Sequence, residues 1–516
     1  MIEARRFPTA CVASPHYLAS ATGLAVLASG GNALDAAVAM NLTLGVATPY
    51  LCGFGGDLFA LVWRDGTSFA YNGSGAAPAA ATLEAVRTAA GGETMPTFGP
   101  LTVTVPGAVD GWFALLERFG SRPFEQLASW ALGYARRGFP LTRKAAERLR
   151  RAKEVYRWSV QWQDVYGRAE AGTVLRQPDL ARTIEELCRG GPDSFYRGPI
   201  AQAIAKHVES LGGLLTAEDL ADHRGDWVQP LKTTYRGHEV LELPPNTQGV
   251  TALEALNIVQ AAGSLPPEGP ERHHLLIEAS KLALSDRDLH VTDPRHMSVS
   301  GETLASMKWA AERARAIDRG SARDPMAGRT AGGGTAYMCA ADGEGMCVSL
   351  IQSNFMGFGA GVTVPEWGIN LQNRGAFFSL EPTHANAIGP RKRTLHTLIP
   401  AMVLRGGRPW LVFGSMGGDG QPQIHLQLLV RMVDDHEDPQ GAISQPRWIL
   451  SPGDWSVAAE SRFEPDLIDA LRARGHRISV TDAFDPFMGH AHAIQVTDQG
   501  YAGATDPRAE GAALGL

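Results

Sequence analysis

The run Gly332-Gly333-Gly334-Thr335-Ala336-Tyr337-Met338 constrains this 516-residue chain more than any other. Three glycines interrupt the pattern around them, and a hydroxyl follows at once, at the head of an apolar, strand-like segment. A residue whose Oγ attacks the carbonyl carbon of the peptide bond before it needs such an approach, because glycine leaves that path free of side chains. The attack moves the acyl group from N to O, water hydrolyses the ester, and the new chain begins with a free Thr335 amine. An α-amino group titrates near pH ~7.7–8.0, so a useful fraction is neutral at pH 7. It can take the proton of its own Oγ, which is the threonine–amine form of an activated nucleophile. The same string also describes a flexible loop ahead of an ordinary strand, and taken alone it does not separate the two.

The surroundings predict a layered α+β body. Residues 9–13 read as a short strand, and 18–28 and 33–44 as buried helices parted by Gly30-Gly31. Residues 59–64 and 68–71 read as a hairpin around Asp65-Gly66, and 141 to about 220 as a mainly helical layer. Strands are expected at 335–341 and 346–352, joined by Asp342-Gly343-Glu344-Gly345. Two more, 401–404 and 410–413, precede Gly417-Gly418 and a helix near 423–433. No linker or repeat divides the chain, so it reads as one interleaved unit.

Composition narrows the function classes. A net charge of −7 without long Lys/Arg runs gives no nucleic-acid footprint and no membrane-surface patch. Five cysteines without CxxC spacing, and an N-terminus without an apolar leader, point to a reducing, cytoplasmic setting. Gly53-Phe54-Gly55-Gly56 is not a dinucleotide fingerprint and no phosphate loop occurs. His273-His274 and His490-x-His492 lack companion ligands at metal spacing, so neither a metal nor a cofactor is expected.

Ordered motifs then carry a resemblance. Gly30-Gly31-Asn32-Ala33-Leu34-Asp35-Ala36-Ala37-Val38-Ala39, the glycine cluster ending at Asp57, Val105-Pro106-Gly107, Gly212-Gly213-Leu214-Leu215-Thr216 and Tyr235-Arg236-Gly237 appear in sequence. Leu243-Pro244-Pro245, Glu278-Ala279-Ser280, Asp286-Arg287, Gly389-Pro390-Arg391-Lys392-Arg393 and Gly414-Ser415-Met416-Gly417-Gly418 follow. In these the chain resembles the γ-glutamyltransferase family, of the N-terminal-nucleophile hydrolase superfamily, along nearly its whole length. The resemblance implies a four-layer αββα sandwich. It also implies self-cleavage between Gly334 and Thr335 into a large subunit, 1–334, and a small one, 335–516. The two would form an α/β heterodimer from one chain, with a dimer of such pairs left open. Thr335 takes the nucleophile position, the N–H groups of Gly417 and Gly418 the oxyanion hole, and Ser353 the place of a second hydroxyl near the nucleophile amine. Such a mechanism uses a small-molecule amide and no cofactor.

The chain departs from the family where a γ-glutamyl group would be held. Ser74 stands in place of the carboxylate-binding arginine, and Phe377, in Asn373-Arg374-Gly375-Ala376-Phe377, in place of the ammonium-binding aspartate. His396-Thr397 replaces a pair of serines. A buried ammonium without a carboxylate partner is costly, so an α-amino group is not expected there. Arg374 and His396, with Arg393 as a helper, are expected to offer positive charge to a carboxylate; each is equally consistent with a structural ion pair or a satisfied core histidine. The departures resemble the subgroup of oxamate amidohydrolases and cephalosporin (glutaryl) acylases. The implied activity is hydrolysis of a small carboxylate-bearing amide. A genuine γ-glutamyl transpeptidase or glutathione hydrolase, and an uncleaved inactive scaffold, are the alternatives.

Overall fold

A computed structural model describes residues 3–325 and 333–516. Gly332, the first glycine of the approach to Thr335, lies outside the described residues.

Two seven-stranded sheets lie face to face. The first runs in the order Arg5–Phe7, Gly500–Thr505, His490–Thr497, Arg408–Met416, Ala401–Arg405, His238–Glu242, Leu231–Tyr235. The second runs Ala512–Gly515, Cys11–Ser14, Gly334–Ala341, Cys347–Phe355, Asp57–Arg64, Thr67–Gly73, Asp226–Val228. The apolar residues fall into three corresponding layers. Phe59, Tyr337, Ile351, Met402 and Ile494 fill the space between the sheets. On the outer face of the second sheet, Ala336, Met338 and Leu350 meet the helices Tyr17–Ala28, Ala33–Ala47 and Phe124–Arg137. On the outer face of the first sheet, Val403 and Phe413 meet Gly249–Ala261, Pro270–His290 and Gln421–Leu429. Period-two alternation along each strand thus feeds two different cores, and the result is the expected αββα sandwich.

Local chemistry sets the elements. Asn32 caps the helix Ala33–Ala47 in a reciprocal box with Asp35, and that helix is buried at every position because it is sandwiched between the sheet and outer helices. Asp65 and Gly66, both at positive φ, close the expected hairpin between Asp57–Arg64 and Thr67–Gly73. The expected helix near 423–433 is α-helical over Gln421–Leu429 and continues as a π-turn to Asp434. Among the described residues, no helix is long and apolar enough to cross a membrane.

Candidate active site

The site is organised by one irregularity in strand register. Gly334 pairs with Phe355 and Ala336 with Gln352, so Thr335 alone faces two residues, Ser353 and Asn354. The extra residue of this bulge sits on the Cys347–Phe355 strand, where Phe355 takes a positive φ of 77°. Alternation along Gly334–Ala341 is therefore kept, and Thr335 shares the inter-sheet face with Tyr337. Ser353 lies on the same face as Ile351 and pairs with Asp57 on the next strand. Leu58 pairs with Gly73, so Ser74 follows beside Asp57. Neighbouring strands thus present Thr335, Ser353, Asp57 and Ser74 in one row, at a strand spacing of about 4.8 Å.

Thr335 is buried, as are Ser353 and Asp57. The Ser353 hydroxyl donates to the carbonyl oxygen of Gly334 at 2.5 Å and accepts from the Phe355 N–H at 2.7 Å. That carbonyl belongs to the bond before Thr335, so a donor already sits on the oxygen that would gain charge if Thr335 attacked. A Cβ at Gly334 would stand 2.6 Å from the Tyr50 carbonyl oxygen, so the backbone passes here only as glycine.

The opposing sheet brings the glycine turn to the same end. Gly414 rests against the Tyr337 ring, where a Cβ would come within 2.4 Å of it, and the strand continues through Met416 into Gly417-Gly418. Both glycines have φ values, +154° and +56°, that side-chain-bearing residues rarely adopt. The Gln248 amide holds the turn, donating to the carbonyls of Gly418 (2.8 Å) and Thr397 (2.9 Å). Gln248 is held in turn by Arg287, whose Nη1 also meets Asp419.

Arg374 is fully buried with its guanidinium 3.9 Å above the Phe355 ring. Nη1 donates to Thr397 Oγ1 at 3.1 Å, whereas Nε and Nη2 have no partner among the described residues. Burial pulls its pKa down to about 9, against the pull of Asp57 and Asp419. Protein interiors rarely leave such donors bare, and Nε–H and Nη2–H run parallel along one edge, the geometry that grips a carboxylate. Phe377 packs edge-on against Phe355 and presents no charge. Asn373 is spent on the backbone, accepting from Met356 N–H and donating to the Thr97 carbonyl. Ser74 donates to Asn72 and accepts from Asn246, inside a buried polar cluster.

The structure corrects two expectations. His396 is not a source of positive charge: burial, and then Arg374, hold its pKa well below the usual value. Its Nδ1 accepts from the Leu398 N–H, so Nε2 carries the proton and donates to Asp57 Oδ2 at 3.1 Å. Arg393 does not join Arg374. It pairs with Asp226, bonds the Arg224 carbonyl, and lines a separate cleft of about 620 Å³ that includes neither Thr335 nor Arg374. His274 and His476 share a 2.8 Å hydrogen bond beside Glu278, and Lys281 stands 2.9 Å from that carboxylate, filling the cationic place in the cluster.

Sequence reasoning passed over Asp57 as a site residue. Its carboxylate accepts from the N–H groups of Gly75 and Gly107, from Gln372 and from His396. Burial pushes its pKa up to about 7 although Arg374, Gln372 and the N–H groups of Gly75 and Gly107 oppose the rise. The one signal in the sequence was an acid closing the glycine cluster 53–56. Gln248 and Phe355 carried no signal, because an amide and an aromatic ring acquire their roles only from distant partners.

Comparison with known proteins agrees with this fold. A family profile described as Gamma-glutamyltranspeptidase matches residues 19–516. The chain is 38% identical to the glutathione hydrolase-like YwrD proenzyme of Bacillus subtilis (strain 168), over 98% of both chains. It is 39% identical to the oxamate amidohydrolase proenzyme of Klebsiella pneumoniae, over 97% of both. The crystal structure of a cephalosporin acylase from Bacillus halodurans superposes with a TM-score of 0.95 at 39% identity, covering all of this chain and 97% of that one. With the profile, the sandwich and these relatives in agreement, the chain belongs to the gamma-glutamyltranspeptidase family and is an enzyme of its hydrolase and transferase chemistry.

Proposed function

We propose that the chain is an autoprocessing amidohydrolase that cuts itself before Thr335 and then hydrolyses a small carboxylate-bearing amide, oxamate- or glutaryl-like, through an acyl-enzyme. The carrying observation is the bare Nε/Nη2 edge of buried Arg374, a carboxylate cradle without an occupant among the described residues.

In the uncut chain, Thr335 Oγ attacks the Gly334 carbonyl carbon while Ser353 steadies the oxygen. Hydrolysis of the resulting ester frees the Thr335 amine. In the mature enzyme that amine takes the Oγ proton as Oγ attacks the substrate carbonyl. The N–H groups of Gly417 and Gly418 stabilise the oxyanion, each such donor contributing about 2.7–4 kcal/mol. Arg374 holds the carboxylate, the amine leaves, and water attacks the acyl-enzyme. The relatives' names support this reading: one is an oxamate amidohydrolase proenzyme and another a cephalosporin acylase.

A γ-glutamyl substrate fits less well. The carboxylate nearest Arg374 in the row, Asp57, already accepts four hydrogen bonds, and Phe377 offers no charge to an α-ammonium. The test is the intact mass of denatured protein beside a Thr335→Ala control, followed by turnover of oxamate, glutaryl amides and glutathione. Fragments of about 36 and 19 kDa (the 55.1 kDa chain divided 334:182), absent from the control, are expected. Release of glutamate from glutathione in preference to the acid amides would overturn the substrate assignment, and a persistent single chain would overturn the processing.

A further inference from the structure

We propose that His490 completes the active site on the leaving-group side, accepting a hydrogen bond from the N–H of the amide that Thr335 cleaves. The inference rests on Thr335 being the nucleophile and goes beyond it by naming the group that meets the departing nitrogen.

Register carries the placement. Across the sandwich, the His492 ring stacks parallel to Tyr337 with centroids 6.5 Å apart, and Gly414, which pairs with His492, touches the same tyrosine. Further along, Tyr501, which pairs with Val496, donates its hydroxyl to the Asp342 carbonyl at 2.6 Å. The His490–Thr497 strand therefore runs in the same direction as Gly334–Ala341 above it. One two-residue step back from the His492–Tyr337 contact sets His490 above Thr335. There it pairs with Met416, the residue that leads into Gly417-Gly418. Arg148 approaches the same end from outside the strands. It lies over the Tyr50 ring, whose backbone carbonyl abuts Gly334, and its charge acts on both Tyr50 and His490.

The chemistry of the side chain points to a ligand. His490 is 5% exposed, and neither ring nitrogen has a partner among the described residues. Its neighbour in the motif, His492, at least engages Thr505 through Nδ1. Burial, and after it Arg148, hold the His490 pKa well below the usual value, so the ring is neutral and offers one lone pair and one N–H. A bare, buried imidazole is costly unless something polar comes to it.

The side of the site then assigns the ligand. Arg374 stands on the Phe355 ring, and Asp57 is two strands from Thr335 in the same direction. His492 leans the other way: a Cβ at Gly511, beside Ser14, would stand 3.1 Å from its ring. A substrate with its carboxylate on Arg374 and its carbonyl carbon at Thr335 directs its nitrogen toward His490. In the step itself, the Thr335 Oγ–acyl bond forms and the acyl C–N bond breaks. The Oγ proton travels through the Thr335 amine to the leaving nitrogen. His490 gains and loses no proton; it holds an N–H of the amide so that the nitrogen lone pair faces the proton donor.

The test compares leaving groups on one acyl group: oxamate against monoethyl oxalate, glutaramate against monoethyl glutarate, and γ-glutamyl amide against its ethyl ester. An ester oxygen carries no hydrogen to donate. His490→Phe is expected to lower kcat/KM for the amide by about tenfold or more while the ester changes by less than about threefold, and His490→Gln to recover part of the loss. Equal losses on amide and ester would make His490 structural, and an unchanged amide rate would remove it from the site; either overturns the proposal. Turnover of the γ-glutamyl pair alone would overturn the acid-amide assignment and leave the His490 comparison intact. A processed wild-type enzyme that cleaves no pair overturns both.

Discussion

Arg374→Met separates a binding group from a structural one by the sign of its effect on stability. Among the described residues the guanidinium is fully buried, makes one hydrogen bond, to Thr397, and leaves Nε and Nη2 bare. Hydrogen bonds to a charged group contribute about 1.5–3 kcal/mol each. Losing the two made to a substrate carboxylate costs about 3–5 kcal/mol after allowing for non-additivity, or two to three and a half decades in kcat/KM. Stability should move the other way. The variant gives up the Thr397 bond and the Phe355 contact, the latter about 0.5–2 kcal/mol, but it also removes the desolvation cost of a buried guanidinium with two bare donors, which offsets that loss. The assay is kcat/KM on a carboxylate-bearing amide and on its neutral analogue, beside the midpoint of thermal unfolding. A selective loss on the acid amide at an equal or higher midpoint is expected. A lowered midpoint with parallel losses on both substrates would refute the reasoning and make Arg374 a structural residue.

Ser353→Ala removes the donor on the Gly334 carbonyl, so conversion of precursor to two chains, followed by intact mass, should slow by about a hundred- to a thousandfold. Gly334→Ala should also delay processing, since its Cβ would meet the Tyr50 carbonyl at 2.6 Å; the same time course reads it, and an unchanged rate would show that the junction has room. Asp57 has a folded-state pKa raised to about 7 against an ordinary ~3.9, so the fold binds this proton more tightly than the unfolded chain. Its contribution to stability is fully present below about pH 4 and is lost as pH rises to about 7. Urea midpoints at pH 5 and pH 8 should therefore differ less in Asp57→Asn than in the parent.

Much of this protein is legible in local chemistry. The Asp65-Gly66 hairpin, the Asn32 cap and the alternating strands around Thr335 depend on near neighbours, and each forms where short-range pattern places it. Glycine before Thr335 and at 417–418 marks backbone that must pass close to something or adopt a rare φ, and the structure supplies both reasons. Charge and partnership behave differently. His396 and Arg374 look alike as cations in the sequence, yet one is a neutral donor saturated by Asp57 and the other a guanidinium with a bare edge. Asp57 and Gln248 act through partners hundreds of residues or several strands away. His490, set aside in the sequence for want of metal-ligand spacing, gains its place over Thr335 only when the two sheets stack. The sequence by itself determined the strands and the turns, because these follow from backbone sterics and periodicity. Only the tertiary structure decided which ionisable groups are charged and which polar atoms stay unpaired, because desolvation and hydrogen-bond saturation are properties of the packed interior.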